Sequence, residues 1–355
     1  MRGEVQCTVS VAAGAALARL GRTEDVKFSP SNRRLAVAGF NQNRIAVFDI
    51  AMHGRGDKTQ VALDGVVEIE ATTLSGPHGL CFLDEDTLAV ASREGSVEVF
   101  GIPAAGSATN GAATARQTIR GRPSCPTRTP GSVAAVAIDR DTTELLVCNN
   151  YANSVTRHLL DRPRGFAARA DELLLAEGLD VPDGICVSPD RRWIAISNHN
   201  THSVLLYDRS RGLHPGSTPD GILRNVLCPH GVLFTPDQEF ILVADAGARY
   251  VNVYRKDGPA WNGTRDPVRL FPALSDEVFL RGRLNPQEGG PKGIDISEDA
   301  KVLVATCDCQ TLAFFDMNEV LRVAEAPENR LKRYLRWRLS KAMFSRLGYL
   351  PRSPA

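Results

Sequence analysis

The chain has 355 residues, with 42 Lys and Arg against 41 Asp and Glu, so a formal net charge of +1 argues neither for nor against a nucleic-acid partner. A hydrophobic fraction of 43% supports a substantial core, while no apolar run approaches the ~18 residues that a membrane-spanning helix needs. The eight cysteines contain no C-x-x-C pair, which argues against a zinc knuckle or a thioredoxin-type motif and for reduced core thiols in a cytoplasmic protein.

Residues Met1 to Leu20 carry an Arg and small apolar residues, a faint likeness to a signal peptide that Glu4 and Gln6 interrupt. Val9 and Val11 alternate with Ser10, so the expectation is a strand over Val5 to Val11 that closes a ring on the last repeat.

From Glu24 onward one unit recurs: a turn, an apolar strand, a turn often reading Ser-Pro-Asp, a second apolar strand, a polar loop and a third strand. The clearest copy opens at Pro182-Asp183-Gly184 and runs through Ser188-Pro189-Asp190 to Val204-Leu205-Leu206-Tyr207-Asp208. Others open at Pro77-His78-Gly79, Pro229-His230-Gly231 and Pro291-Lys292-Gly293, with weaker ones near Glu24 and Val133. Fourth strands are placed over Lys58 to Leu63, Leu173 to Glu177 and Val268 to Phe271, and residues 101–130 read as a long, loose connection. Six such units, none able to bury both faces alone, predict an all-β, six-bladed β-propeller over residues 1–318.

Residues 319–355 form a C-terminal extension that reads as a helix to Gly348. Seven basic residues and no acidic one lie between Arg330 and Arg346, with an apolar face through Leu331, Leu335 and Leu339. That pattern suits an anionic membrane surface or an acidic partner groove, and the chain would then be membrane-peripheral. No recognition motif accompanies the charge, which disfavours nucleic acid.

The residue before the Gly position should face the central channel: Glu24, His78, Ala134, Asp183, His230 and Lys292. Five of six are ionisable, a set suited to a divalent metal or to acid–base chemistry on a small-molecule substrate. A second ring at the ends of the second strands, including Asn149, Asn198 and Asp245, could add or orient ligands. His199 and His202 fall in a strand connection and read as solvated loop.

With Glu24 in the first copy and Pro182-Asp183-Gly184 in the fourth, the chain resembles the gluconolactonase/regucalcin family of six-bladed propellers over roughly residues 20–316. The resemblance implies a divalent metal in the channel, held by Glu24 and Asp183, with Asn149 or Asn150 standing in for the Asn of the third blade. His78 and His230 would shift the preference from calcium towards zinc, manganese or iron. It further implies a metal-dependent hydrolase of a small lactone or sugar-derived cyclic ester, with Asp183, His230 and Lys292 as catalytic groups. The competing expectation is a propeller without chemistry that binds a protein or glycan, recognisable by ring residues consumed in mutual ion pairs.

Overall fold

The computed structural model describes residues 3–55, 58–103, 111–112, 115–122 and 125–322. Six antiparallel sheets stand around one axis, each with its first strand innermost. These inner strands are Thr23–Phe28, Pro77–Asp84, Pro130–Ala137, Pro182–Val187, Pro229–Phe234 and Ile294–Ile296, and each packs against its neighbours around the ring. The molecule is therefore an all-β, six-bladed propeller.

The turns explain why each blade folds locally. In Ser188-Pro189-Asp190 the Ser188 hydroxyl donates to Asp190 and accepts from the Trp193 amide at 2.8 Å, while Asp190 accepts from the Arg192 amide at 3.0 Å. Thr235 with Asp237 and Ser297 with Asp299 repeat the arrangement. A left-handed residue, Arg191, Gln238 or Ala300, follows each Asp and completes the reversal.

The core is divided into six layers, each between two adjacent blades. Val26, Leu35 and Val37 of the first blade meet Val302, Val304 and Phe314 of the sixth, and Leu146, Ile194 and Tyr207 lie between the third and fourth. No blade buries both faces by itself, so the ring is the unit of stability.

Ring closure differs from the sequence expectation. The sixth blade has three strands of its own, and Glu4 bridges Phe315 on its outer edge while the Val5 amide donates to Phe314 O at 2.8 Å. Gln6–Val9 then pairs in parallel with Lys58–Glu70 of the first blade, and Val11–Leu20 is a helix capped by Ser10. The N-terminal segment thus staples the last blade to the first, but only its first half touches the last blade. The Val9–Val11 alternation ends at the Ser10 cap, where helix geometry takes over.

The stretch 101–130 is more than a connection. Gln117–Ile119 is the fourth strand of the second blade, and Gly111–Ala112 adds to the outer edge of the first. Met317–Leu321 forms a short helix where the C-terminal extension begins. The basic segment from Arg330 to Arg346 lies outside the described residues. Among the described residues, no helix is long and apolar enough to cross a membrane.

The inner strands crowd one another through glycine. A Cβ on Gly79 would lie 2.5 Å from Ser132 Cα, one on Gly293 2.5 Å from Asp25 Cα, and one on Gly184 would run into the His230 carbonyl oxygen. The obstacle at Gly184 is backbone, which cannot rotate away. Gly184→Ala is therefore expected to cost about 1–3 kcal/mol as the fourth and fifth blades are forced apart. An unchanged midpoint in urea denaturation would contradict this packing.

Candidate functional site

One register rule builds the site. At the start of each inner strand a residue pairs with the end of the second strand, as Pro77 does with Ser92, Pro130 with Asn149, Pro182 with Asn198 and Pro229 with Asp245. The next residue sits in a bulge and turns into the channel. The structure brings Glu24, His78, Asp183, His230 and Lys292 together there, lining one cavity of about 20 Å³. All five are buried, and Lys292 completely so.

The third blade departs from expectation. Pro130, not Val133, occupies the register of the other prolines, so the ring position belongs to Gly131. Ala134 lies three residues further on and packs in the layer between the third and fourth blades. The missing side chain at Gly131 leaves room that Asn150 fills: a Cβ there would collide with the Asn150 amide. Asn150 reaches through to donate to Asp183 Oδ1.

Asn149 is not in the channel set. Its Oδ1 accepts from the Arg128 amide at 2.9 Å and its Nδ2 donates to Thr156 Oγ1 at 3.2 Å. Asn198 Oδ1 accepts from the Asp180 amide at 2.7 Å, and Asp245 accepts from the Leu227 amide at 3.0 Å. In each of these three blades the accepted amide lies two residues before the proline that opens the inner strand. These residues brace the loops that deliver the ring residues, and none of the three lines the ring cavity.

Four further groups complete the site. Arg22 ion-pairs with Glu24, and Arg93 Nη2 donates to Asp183 Oδ1 at 2.8 Å. Glu288 accepts from Lys292 Nζ at 2.9 Å and stands 3.5 Å from His230 Nε2. His199 is no solvated loop residue. Its side chain is 12% exposed, its Nε2 stands 3.5 Å from Glu288 Oε1, and its ring lies edge-on to His230 at 5.2 Å. Lys292 is also 3.2 Å from Glu24 Oε1 and 3.7 Å from Asp308. Arg22, Arg93, Glu288 and His199 lie outside the ring register, on loops that only closure of the propeller carries to the axis. A strict repeat alignment carries no signal for them.

The charges are tuned by these partners. Burial alone would raise Glu24, but Lys292, His78 and Arg22 hold it down at about 2. Asp183 is likewise kept well below its ordinary range, against burial, chiefly by the charge of His230. His230 runs the other way: burial opposes its charge, yet Asp183 and Glu288 raise it to about 9. With Nδ1 2.8 Å from Asp183 Oδ2 and Nε2 facing Glu288, it is an imidazolium at neutral pH. His78 is lowered to about 4, by burial first and then by Arg93. Its Nδ1 donates to the Gly131 carbonyl at 2.7 Å, so its neutral Nε2 presents a lone pair to the channel.

His230 links stability to pH. Its folded value lies above the ordinary 6.5, so its contribution is complete below pH 6.5 and is lost as pH rises through about 9. The loss is expected to be on the order of 3 kcal/mol. Urea midpoints measured across that window should fall in the native chain and stay flatter in His230→Gln.

Among the described residues, two sets of side chains could hold a cation: Glu24, His78 and His230, and Asp183, His199 and His230. They differ in what is already paired. His230 belongs to both sets and already donates to carboxylates from both nitrogens, so it offers a cation little in either. Glu24 Oε2 and His78 Nε2 have no hydrogen-bond partner, are buried, and face each other at 3.4 Å. An ionised carboxylate oxygen and an imidazole lone pair repel at that distance unless a cation, a proton or a water lies between them. Ligands of a tetrahedral ion bound at about 2.1 Å stand about 3.4 Å apart, so this pair fits one edge of a divalent site. Asp183, bound by Arg93, Asn150 and His230, has less to offer a metal than the sequence suggests.

Fold and site together define a propeller with an axial ring of buried, compensated charge. Over residues 23–214 the chain matches the model of the family described as "Lactonase, 7-bladed beta-propeller", and it belongs to that family. Six blades, rather than the seven in that description, are present here, consistent with the repeat-level resemblance to gluconolactonases. Among solved structures it is similar to a functionally unknown protein from Desulfotomaculum acetoxidans DSM 771 (12% identity, 83% of each chain covered, TM-score 0.53). A chain in the crystal structure of a mitotic checkpoint complex also matches (10% identity, 83% of this chain and 74% of that one, TM-score 0.49). The first of these likenesses is one of fold. No curated protein matches the chain.

Proposed function

We propose that the ring hydrolyses a small lactone, assisted by a divalent cation of the zinc or manganese type at Glu24 and His78. The observation that carries this reading is the unpartnered pair Glu24 Oε2 and His78 Nε2, 3.4 Å apart at the bottom of the ring cavity. Family membership supports the reaction class. A bound cation would supply Lewis acidity towards the ring carbonyl.

The remaining steps belong to the chain's own side chains. The ring cavity, at about 20 Å³, has room for about one water, so the lactone sits above it among Arg22, Arg93 and His199. Glu288 favours the proton on His199 Nε2 and leaves Nδ1, which has no partner, to take a proton from the attacking water. Lys292 and Arg22 place positive charge where the oxyanion develops. The His230 imidazolium then protonates the leaving alkoxide, and Asp183 orients it rather than acting as base.

The test is metal content of protein purified without chelators or affinity-tag metals, followed by a lactone panel. About one divalent ion per chain, lost together with lactone turnover in Glu24→Gln/His78→Ala, is the expected result. A second reading, a binding propeller without chemistry, is favoured by one observation: Glu24, Asp183 and Glu288 are already paired with Lys292, Arg22, Arg93 and His230. Protein that neither carries nor takes up a divalent ion would select it.

A further inference from the structure

Below the ring, the same inner strands form a second one. Three residues beyond each first-ring position stand Lys27, Cys81, Ala134, Cys186, Leu233 and Asp295, and all six line a separate chamber of about 340 Å³. The glycine collar of Gly79, Gly184, Gly231 and Gly293 pinches the channel between the two. A chamber of this size falls within the range of small-ligand pockets and is about twice a cavity known to accept benzene. Apart from one edge, Ser188 and Arg191, its walls are aliphatic residues and two thiols.

That edge is acidic on balance. The Lys27 ammonium spends its donors on Asp25 Oδ1 at 2.7 Å and on the carbonyls of Val26 and Ile294 at 3.1 and 3.2 Å. It compensates Asp25, whose other oxygen accepts from the Leu80 amide at 2.9 Å. Asp295 accepts from the Phe28 amide on Oδ2 at 2.8 Å and from the Ile296 amide, and it faces the chamber. Burial, only partly offset by the charge of Lys27, pushes Asp295 up to about 6. A carboxylate ligand would meet the Asp295 carboxylate and a lysine with no free donor. A neutral alcohol would gain one hydrogen bond, and an ammonium would gain that bond and the charge.

We propose that this lower chamber binds a small primary amine with an apolar body, its ammonium on Asp295 and its carbon skeleton against Cys81, Cys186 and Leu233. Arg191, on the exposed rim, opposes the amine only through solvent. The site is independent of any chemistry at the upper ring.

The experiment is calorimetric titration of the full chain with hexylamine, hexanol and hexanoate near pH 8. Hexylamine is expected to bind about tenfold more tightly than hexanol, as one charge-assisted bond predicts, and hexanoate not to bind. Asp295→Asn should bring hexylamine to the hexanol level. On the unaltered chain, hexylamine should slow modification of Cys81 and Cys186 by methyl methanethiosulfonate, mapped by mass spectrometry, and leave Cys7 unaffected. That measurement decides the matter if the variant does not fold. No hexylamine binding, equal affinity for amine and alcohol, undiminished binding in Asp295→Asn, or unprotected thiols would each overturn the proposal.

Discussion

Lys292→Met is expected to destabilise the protein by about 3–5 kcal/mol, the range for removing one partner from a buried ion pair. Lys292 is fully buried, and its ammonium serves Glu24 at 3.2 Å, Glu288 at 2.9 Å and Asp308 at 3.7 Å. Met fills nearly the same volume, so the loss reads out charge rather than a cavity. Glu24 keeps Arg22 and Glu288 keeps His230, which sets the lower end of the range. Adding Glu24→Gln should recover part of the loss, because one uncompensated carboxylate is removed with it. Denaturant unfolding of the two variants measures both effects. Equal stability of Lys292→Met and the native chain would mean that the ring charges are solvated, and the compensated-ring description would fail.

For lactone turnover, His199→Gln should lower kcat by about 10²–10⁴, the usual worth of a positioned general base. His199 is held down at about 4, first by burial and then by the His230 cation, so it is neutral at physiological pH. A base must be unprotonated to act, so native activity should persist as pH falls towards 5 and drop as it passes through about 4. His199→Gln should lose its rate, while any residual turnover keeps an acidic limb from His78, which is also lowered to about 4. A variant that keeps the rate would remove His199 from the reaction and leave only a packing role against His230.

Prolines, glycines and the spacing of apolar runs made the six blades legible in the sequence, because each blade solves the same local problem of turn, strand and turn. The ring was legible as far as the repeat stayed in register: Pro77, Pro182 and Pro229 each place the next side chain on the axis. The third blade hides that register, because Pro130-Gly131-Ser132 carries it without a side chain and Ala134 lies one layer deeper. Asn149 looked like the ligand and Asn150 enters the channel, because the first braces the backbone of its own loop and the second follows the opening at Gly131.

What the sequence by itself determined is the propeller and five of the charges on its axis. Only the tertiary structure decided which of them are already paired. Arg22, Arg93, His199 and Glu288 come from loops with no common register, and they converge because ring closure brings the ends of different blades within ion-pair distance. Electrostatic partnership depends on distance through space, which a linear repeat does not encode. That is why the bare edge between Glu24 and His78, and the acidic floor at Asp295, appear only once the ring is closed.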